Sequence, residues 1–293
     1  MTTTLRPLGP EEPLAHGGVG RRFAVCVNGR PVGDLGVSAD ARAGVGVGRI
    51  SWLEIGEADR GRGRGTVAAL AAEEVLRGWD CRESRVALSA EAGAGPAGAL
   101  ARTLGYQEWS SVMVKDLGER PALPPGSTAE ELTEQEFAHW SAAAVESFTQ
   151  SLADAGTPQA AARSRAELSH RALLPEGRAT EGHHLRVLRH EGVEVGTVWV
   201  ALRSPDRPRA LGAEAEPQDA EAPCGYVYDV VVRAERRGEG HGRTLMAVAE
   251  TLCLDAGLDR LGLNVFAHNP AARSLYDSLG YRPVLVEWVK PLL

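Results

Sequence analysis

One motif occurs twice in this chain, and that restricts it to a fold built in duplicate. Arg60-Gly61-Arg62-Gly63-Arg64-Gly65 returns 177 residues later as Arg237-Gly238-Glu239-Gly240-His241-Gly242. Leu104-Gly105-Tyr106 returns as Leu279-Gly280-Tyr281, now at an offset of 175, and Val114-Lys115-Asp116-Leu117 as Val289-Lys290-Pro291-Leu292. Upstream, Asn28-Gly29-Arg30-Pro31-Val32-Gly33 resembles Glu191-Gly192-Val193-Glu194-Val195-Gly196, with a hairpin turn expected at Gly29 and at Gly192. Landmarks that recur in the same order predict two tandem copies of one domain. The length of 293 residues suits two domains, each large enough to bury a core. Pro121, Pro124 and Pro125 mark residues 118 to 126 as an extended linker, so the chain divides into residues 1–120 and 121–293.

The copies are unequal. In the second, Thr133 and Glu136 form a capping box ahead of an amphipathic helix to about Asp154, and Thr157-Pro158 opens another that runs to Leu174. The first copy passes from Glu12 to Phe23 with no room for either helix. The second copy then reads as a hairpin (185–188 and 196–202), a strand from Tyr226 to Val232, and the glycine loop. A helix stopped by Gly257, a strand (261–265), a helix (270–279) and a last strand (284–289) follow. The succession predicts a mixed α/β sheet.

Composition excludes several classes. A net charge of -7 argues against a nucleic-acid-coating protein. No run approaches the length of a membrane span, and the N-terminus lacks the apolar core of a signal peptide, so a cytoplasmic location without membrane partners is expected. Cys26, Cys81, Cys224 and Cys253 are far apart and read as reduced thiols, with no zinc spacing and no metal expected.

Glycines at alternate positions between a strand and a helix N-terminus let amide hydrogens converge without obstructing side chains, which makes a phosphate cradle. Arg233, Arg236, Arg237 and Arg243 place positive charge around it. The loop has the form Arg-x-x-Gly-x-Gly. It lacks both the Lys-Ser/Thr ending of a nucleoside-triphosphate loop and the Gly-x-Gly-x-x-Gly of a dinucleotide loop. Downstream stand Asn269-Pro270-Ala271-Ala272-Arg273-Ser274-Leu275-Tyr276 and Gly280-Tyr281.

This succession resembles the coenzyme A binding half of the GCN5-related N-acetyltransferase (GNAT) superfamily, clearly over residues 128 to 293 and in degenerate form over residues 22 to 117. The resemblance implies two tandem GNAT-like acyl-CoA N-acyltransferase domains and acetyl transfer from acetyl-CoA to an amine. It implies that CoA is held by Arg237, Gly238, Glu239, Gly240, His241, Gly242 and Arg243. Backbone groups of Val230, Val231 and Val232, together with Asn269, Ala272 and Tyr276, complete that cofactor site. Acetyl transfer requires a neutral amine, a stabilised oxyanion and a proton for the departing thiolate. A phenol holds its proton at neutral pH and can give it to a thiolate, which suits Tyr276 as general acid, a core tyrosine being the alternative. Many relatives carry an acidic residue where this chain has Tyr228, followed by an Asp that corresponds to Asp229. Asp229 can relay a proton, serve as a structural carboxylate, or bind the acceptor's cation. His183 and His184 are further candidates beside Tyr228 on the acceptor side.

Aligned on Gly105 and Gly280, Asn269 corresponds to Ala94 and Tyr276 to Ala101, so the first copy is expected to be non-catalytic. Its loop, with Arg60, Gly63 and Gly65, can still hold CoA or persist for packing. The insertion Ser204 to Pro223 is acidic and reads as a hairpin loop that, if ordered near the acceptor, favours a cationic substrate. At pH 7 a lysine-like amine is neutral about once in 2,500 molecules and an α-amine about one time in seven, so an α-amine acceptor tolerates a weak base. The expected partner is an amine-bearing small metabolite, antibiotic or peptide N-terminus, attacked directly in a ternary complex, with the protein a monomer or homodimer. The competing class is a non-catalytic acyl-CoA sensor.

Overall fold

The computed structural model describes residues 2–14, 18–40, 46–202 and 224–292. The insertion Ser204 to Pro223 lies outside them. The chain forms two compact units. The first holds Met1–Ser110 and Leu285–Leu293, and the second holds the described residues from Ser111 to Val284.

In the first unit, strands β1 (Thr3–Pro7), β3 (Gly18–Val27), β4 (Arg30–Asp40), β5 (Val47–Ile55) and β6 (Glu83–Ser89) lie side by side in that order, with β2 (Glu12–Pro13) paired to β3. Helix α1 (Arg64–Gly78) follows β5, and α2 (Ala90–Ala94) and α3 (Pro96–Thr103) follow β6. The second unit starts in β7 (Gln107–Asp116) and continues through β8 (Ser127–Glu131), α4 (Glu134–Asp154) and α5 (Gln159–Leu173). It proceeds with β9 (His183–His190), β10 (Val193–Ala201), β11 (Gly225–Val232), α6 (His241–Asp255), β12 (Arg260–Phe266) and α7 (Pro270–Ser278). Its strands run β7-β12-β11-β10-β9-β8. The mixed α/β sheet read from the sequence is present in both units, and helices α4 and α5 stand only in the second. Thr133 and Glu136 complete the expected capping box on α4.

The last strand of each copy is exchanged. Strand β13 (Arg282–Pro291) comes from the second copy, yet its residues Leu285 to Pro291 pair antiparallel with β6 in the first unit. Residues Ser111 to Asp116 of β7 come from the first copy and lie beside β12 in the second. A division near residue 120 does not anticipate this exchange.

Each exchanged strand carries a lysine into a buried clamp. In the first unit Lys290 Nζ lies 2.7 and 2.9 Å from the Glu73 carboxylate oxygens, and Glu73 is 1% exposed. In the second, Lys115 Nζ lies 2.7 Å from Glu250 Oε1, which also accepts from the Tyr281 hydroxyl at 3.3 Å. Each lysine also lies over a tyrosine ring, Lys290 over Tyr106 at 5.6 Å and Lys115 over Tyr281 at 5.7 Å. Burial and the neighbouring glutamate push both phenols well above their ordinary range. The Gly-Tyr and Val-Lys landmarks of the sequence are therefore the parts of one clamp, used twice.

Among the described residues no helix is long and apolar enough to cross a membrane, and no group of three or more metal-ligating side chains gathers. Among the described residues the cysteines form no disulfide.

Removing one partner of a buried ion pair strands the other, which costs about 3 kcal/mol or more. Lys290→Met is expected to destabilise the full chain by that amount in urea unfolding. Adding Glu73→Leu is expected to recover most of it, because a packed apolar pair replaces the stranded carboxylate.

Candidate active site

The site grows from an irregularity in β11. Its ladder to β10 pairs Gly196 with Val232 and Trp199 with Asp229, then slips so that Val200 faces Val227, leaving Tyr228 as the extra residue of a bulge. The bulge breaks strict alternation: Val227, Val230 and Val232 all pack into one core, whereas Tyr228 joins the cluster around Trp140 and Trp199. On its other side β11 pairs in parallel with β12 only from Gly225↔Leu261 to Val227↔Leu263. Beyond that the strands part, and the β12-facing backbone groups of Val230 to Val232 have no ladder partner, which is how a sheet edge offers itself to another extended chain. At position 196 only glycine fits, because a Cβ there would lie 2.3 Å from the Val231 carbonyl oxygen.

The glycine loop closes the mouth of this wedge. Gly238 and Gly240 have φ of +82° and +88°, a region costly for residues with a Cβ, and a Cβ at either would meet nothing within 4 Å. Gly240 is the N-cap of α6. Its carbonyl accepts from Arg243 and Thr244, while His241 and Gly242 are among the first-turn amides that a helix leaves without intrahelical partners. Gly242 lies against Leu275 of α7 and Val232 of β11, so the absence of its side chain lets α6 start between them. Arg237 Nε donates to the Val232 carbonyl at 3.4 Å, and Arg60 Nε donates to the equivalent Ile55 carbonyl at 2.7 Å, so the repeated arginine braces loop to strand in both copies.

The structure redistributes some of the expected charge. The His241 side chain is buried, with Nε2 3.2 Å from Glu239 Oε2. Arg236 pairs with Glu239, Arg233 with Glu194, and Arg243 donates to Ser278. Asn269 caps α7, its Oδ1 accepting from Ala272 N–H at 3.1 Å, which leaves its amide NH₂ as the remaining polar group.

Asp229 stands at the bulge. The residue keeps some exposure, but its Oδ2 is buried and has no hydrogen-bond partner. Burial pushes the carboxyl up to about 7, against hydrogen bonds from the Trp140 indole and the Val230 amide that favour the charged form. Tyr276 of α7 is buried, packs edge-on against Tyr281 at 5.9 Å, and is pushed up to about 12 by burial and by the Asp229 charge. The Asp229 charge is thus felt at the Tyr276 hydroxyl.

Around them lies an aromatic wall. Tyr228 packs on Trp199 at 4.8 Å and on His183 at 5.9 Å between ring centres. His183 Nδ1 accepts from Trp199 Nε1–H at 2.9 Å, which occupies the lone pair a base would need. Burial lowers the pKa of both His183 and His184. Trp140 was not singled out in the sequence, although Phe137, Trp140 and Ala144 at helical spacing mark the buried face of α4.

The first copy repeats the frame without these groups. Its β5 is bulged after Gly36↔Trp52 and pairs with β6 only from Val47↔Glu83 to Arg49↔Arg85, so the wedge recurs. Trp52 occupies the place of Asp229, and Ala101 that of Tyr276. Helix α3 is one residue shorter than α7, and both begin with proline, so Asn269 corresponds to the N-cap Gly95 rather than to Ala94.

A GCN5-related N-acetyltransferase from Sphaerobacter thermophilus shares this fold, with a TM-score of 0.56 at 17% identity over 92% of this chain and 80% of that one. Two uncharacterized N-acetyltransferases of Bacillus subtilis are similar in sequence. YycN is 31% identical over 121 residues, 41% of this chain and 69% of its own length, and YdgE is 26% identical over 167 residues, 56% and 98%. The sequence model of the Acetyltransferase (GNAT) family matches residues 139–281, and the chain belongs to that family.

A carboxyl whose pKa is raised by folding holds a proton that the unfolded chain releases, so it contributes stability at low pH that is lost as pH rises through its folded value. The stability of the protein relative to Asp229→Asn is therefore expected to fall between about pH 4 and 7 and then level off, read as the difference in melting temperature across that range.

Proposed function

We propose that this protein is an acetyl-CoA-dependent N-acetyltransferase whose chemistry is carried by the second copy, with the first copy non-catalytic. The acceptor is a primary amine on a small metabolite, an antibiotic or a peptide N-terminus. The observation that carries the reading is the buried, unpartnered Oδ2 of Asp229 beside Tyr276, at the opening between β11 and β12.

The residues present fit the cofactor. The amides from Gly238 to Gly242, without side chains at Gly238 and Gly240, suit a diphosphate, and the unpaired edge of Val230 to Val232 suits an extended amide-bearing arm. Bound acetyl-CoA supplies the activated acetyl group. Asp229, at about 7, takes the proton of the incoming ammonium at its free oxygen. Tyr276, at about 12, keeps its proton at neutral pH and delivers it to the departing sulfur. No acidic side chain stands at position 228, so Asp229 alone bears the task of base on this strand. The competing reading, a sensor that binds acyl-CoA without turnover, gives no use to an unpartnered carboxyl next to a protonated phenol.

Thiol release from acetyl-CoA with a panel of primary amines and peptides tests this. Tyr276→Phe is expected to lose about 10²-fold or more in turnover while acetyl-CoA affinity stays within a few-fold. Because a base must be unprotonated, the rate is expected to rise with pH through about 7, and that inflection is expected to vanish in Asp229→Asn. Release with no amine, or unchanged turnover in Tyr276→Phe, overturns the reading.

A further inference from the structure

We infer that the acceptor is a primary amine carried on a flat aromatic body, whose ring lies against Tyr226 and Tyr228 while its amine reaches Asp229. This rests on the reading of the second copy as the acetyltransferase and names its acceptor. The place is defined by two contacts of α4. Trp140 meets Trp199 of β10 edge-on at 5.5 Å, and Phe148, about two helical turns further on, meets Phe266 of β12 at 6.5 Å between ring centres. Because β11 lies between β10 and β12, helix α4 passes over β11 and over the opening where β11 and β12 part.

Rings line the strands beneath it. Tyr226 and Tyr228 meet at 4.9 Å, so the bulge leaves both on one face, and Tyr228 continues onto Trp199 at 4.8 Å. Tyr226 pairs with Gly262 of β12, which brings no side chain against its ring. By alternation Asn264 and Phe266 follow Gly262 on the same face. Trp140 and Trp199, at 8% and 5% exposure, form a closed back. Tyr226, Tyr228, Phe148 and Phe266 are only half-buried and Asn264 is exposed, so the front of the series stays accessible.

Charge decides which end of a ligand goes where. Asp229 follows Tyr228 directly and pairs with Trp199 across the ladder, and its Oδ2 is buried without a hydrogen-bond partner. The rings beside it carry no ionic charge, and burial holds His183 toward its neutral form. An amine therefore belongs at the carboxyl and an uncharged body along the rings. Aromatic rings prefer offset or edge-on contacts at about 4.5–7 Å, the spacing already present here, so a ligand ring extends the series. A second ammonium is the rival occupant of such faces, by cation–π contact. In the first copy Ser51 is the extra residue of the bulge and α4 has no counterpart, so platform and roof are absent together.

The test uses the full chain with saturating acetyl-CoA and compares 2-phenylethylamine, 2-cyclohexylethylamine, n-butylamine and 1,4-diaminobutane. Transfer joins the amine nitrogen to the acetyl carbonyl carbon and breaks that carbon's bond to sulfur, so each amide formed releases one thiol. The phenyl amine is expected to exceed each of the others about ten-fold in kcat/KM, with the difference in KM. Tyr228→Leu is expected to abolish that preference and Tyr228→Phe to keep it, because the ring and not the hydroxyl makes the contact. Phe266→Leu, on the other strand, is expected to narrow the preference independently, so the test stands even if Tyr228→Leu does not fold. Parity of any other amine of the four with 2-phenylethylamine, or the wild-type preference retained in the leucine variants, overturns the inference. Thiol release confined to other amines or peptides overturns it alone, whereas release with no amine at all overturns the acetyltransferase reading beneath it.

Discussion

Three residue pairs of parallel ladder, Gly225 to Val227 against Leu261 to Leu263, govern the second unit. Because the pairing stops there, β11 keeps a free edge at the height of the glycine loop, and because β11 is bulged at Tyr228, Asp229 turns toward the α4 side. A sheet that paired to its end would have neither opening nor displaced carboxyl. The first unit obeys the same constraint with its own three pairs, so the wedge belongs to the fold and recurs in both copies.

Stability at this place rests on elements supplied from both copies. The lysine clamps on Glu73 and Glu250 tie the exchanged strands to α1 and α6, the helices whose N-termini carry the two glycine loops. A buried carboxylate is costly without a partner, and the exchanged strand brings each helix a lysine for its own. The opposite treatment is given to Asp229, which is buried without a cation and for that reason holds a pKa near neutrality. Two buried carboxylates of one unit thus differ in setting, one ion-paired and the other not.

Much of the frame was legible in the chain. The capping box at Thr133 and Glu136, the glycine turns, the two loops and the Asn269-Pro270 helix start are local signals, each set by a few neighbouring residues. The strand exchange was not legible, and the reason is specific. Lys115 and Lys290 stand at equivalent positions against equivalent glutamates and tyrosines, so either strand suits either unit and nothing in the residues chooses. Nor does the stretch from Tyr226 to Val232 carry a glycine or proline that would announce the bulge. The contact of Trp140 with Trp199 joins residues on different elements that no periodicity relates.

Residue order alone determined that one domain occurs twice, where each helix and turn begins, and which copy keeps the tyrosine and the carboxylate, because these depend on side-chain type and on spacing within a few turns. Only the folded chain decided which strand completes which unit, where the ladder ends and which face Asp229 takes. Those depend on burial and pairing among distant segments, and the free energy that selects them exists only once the segments meet.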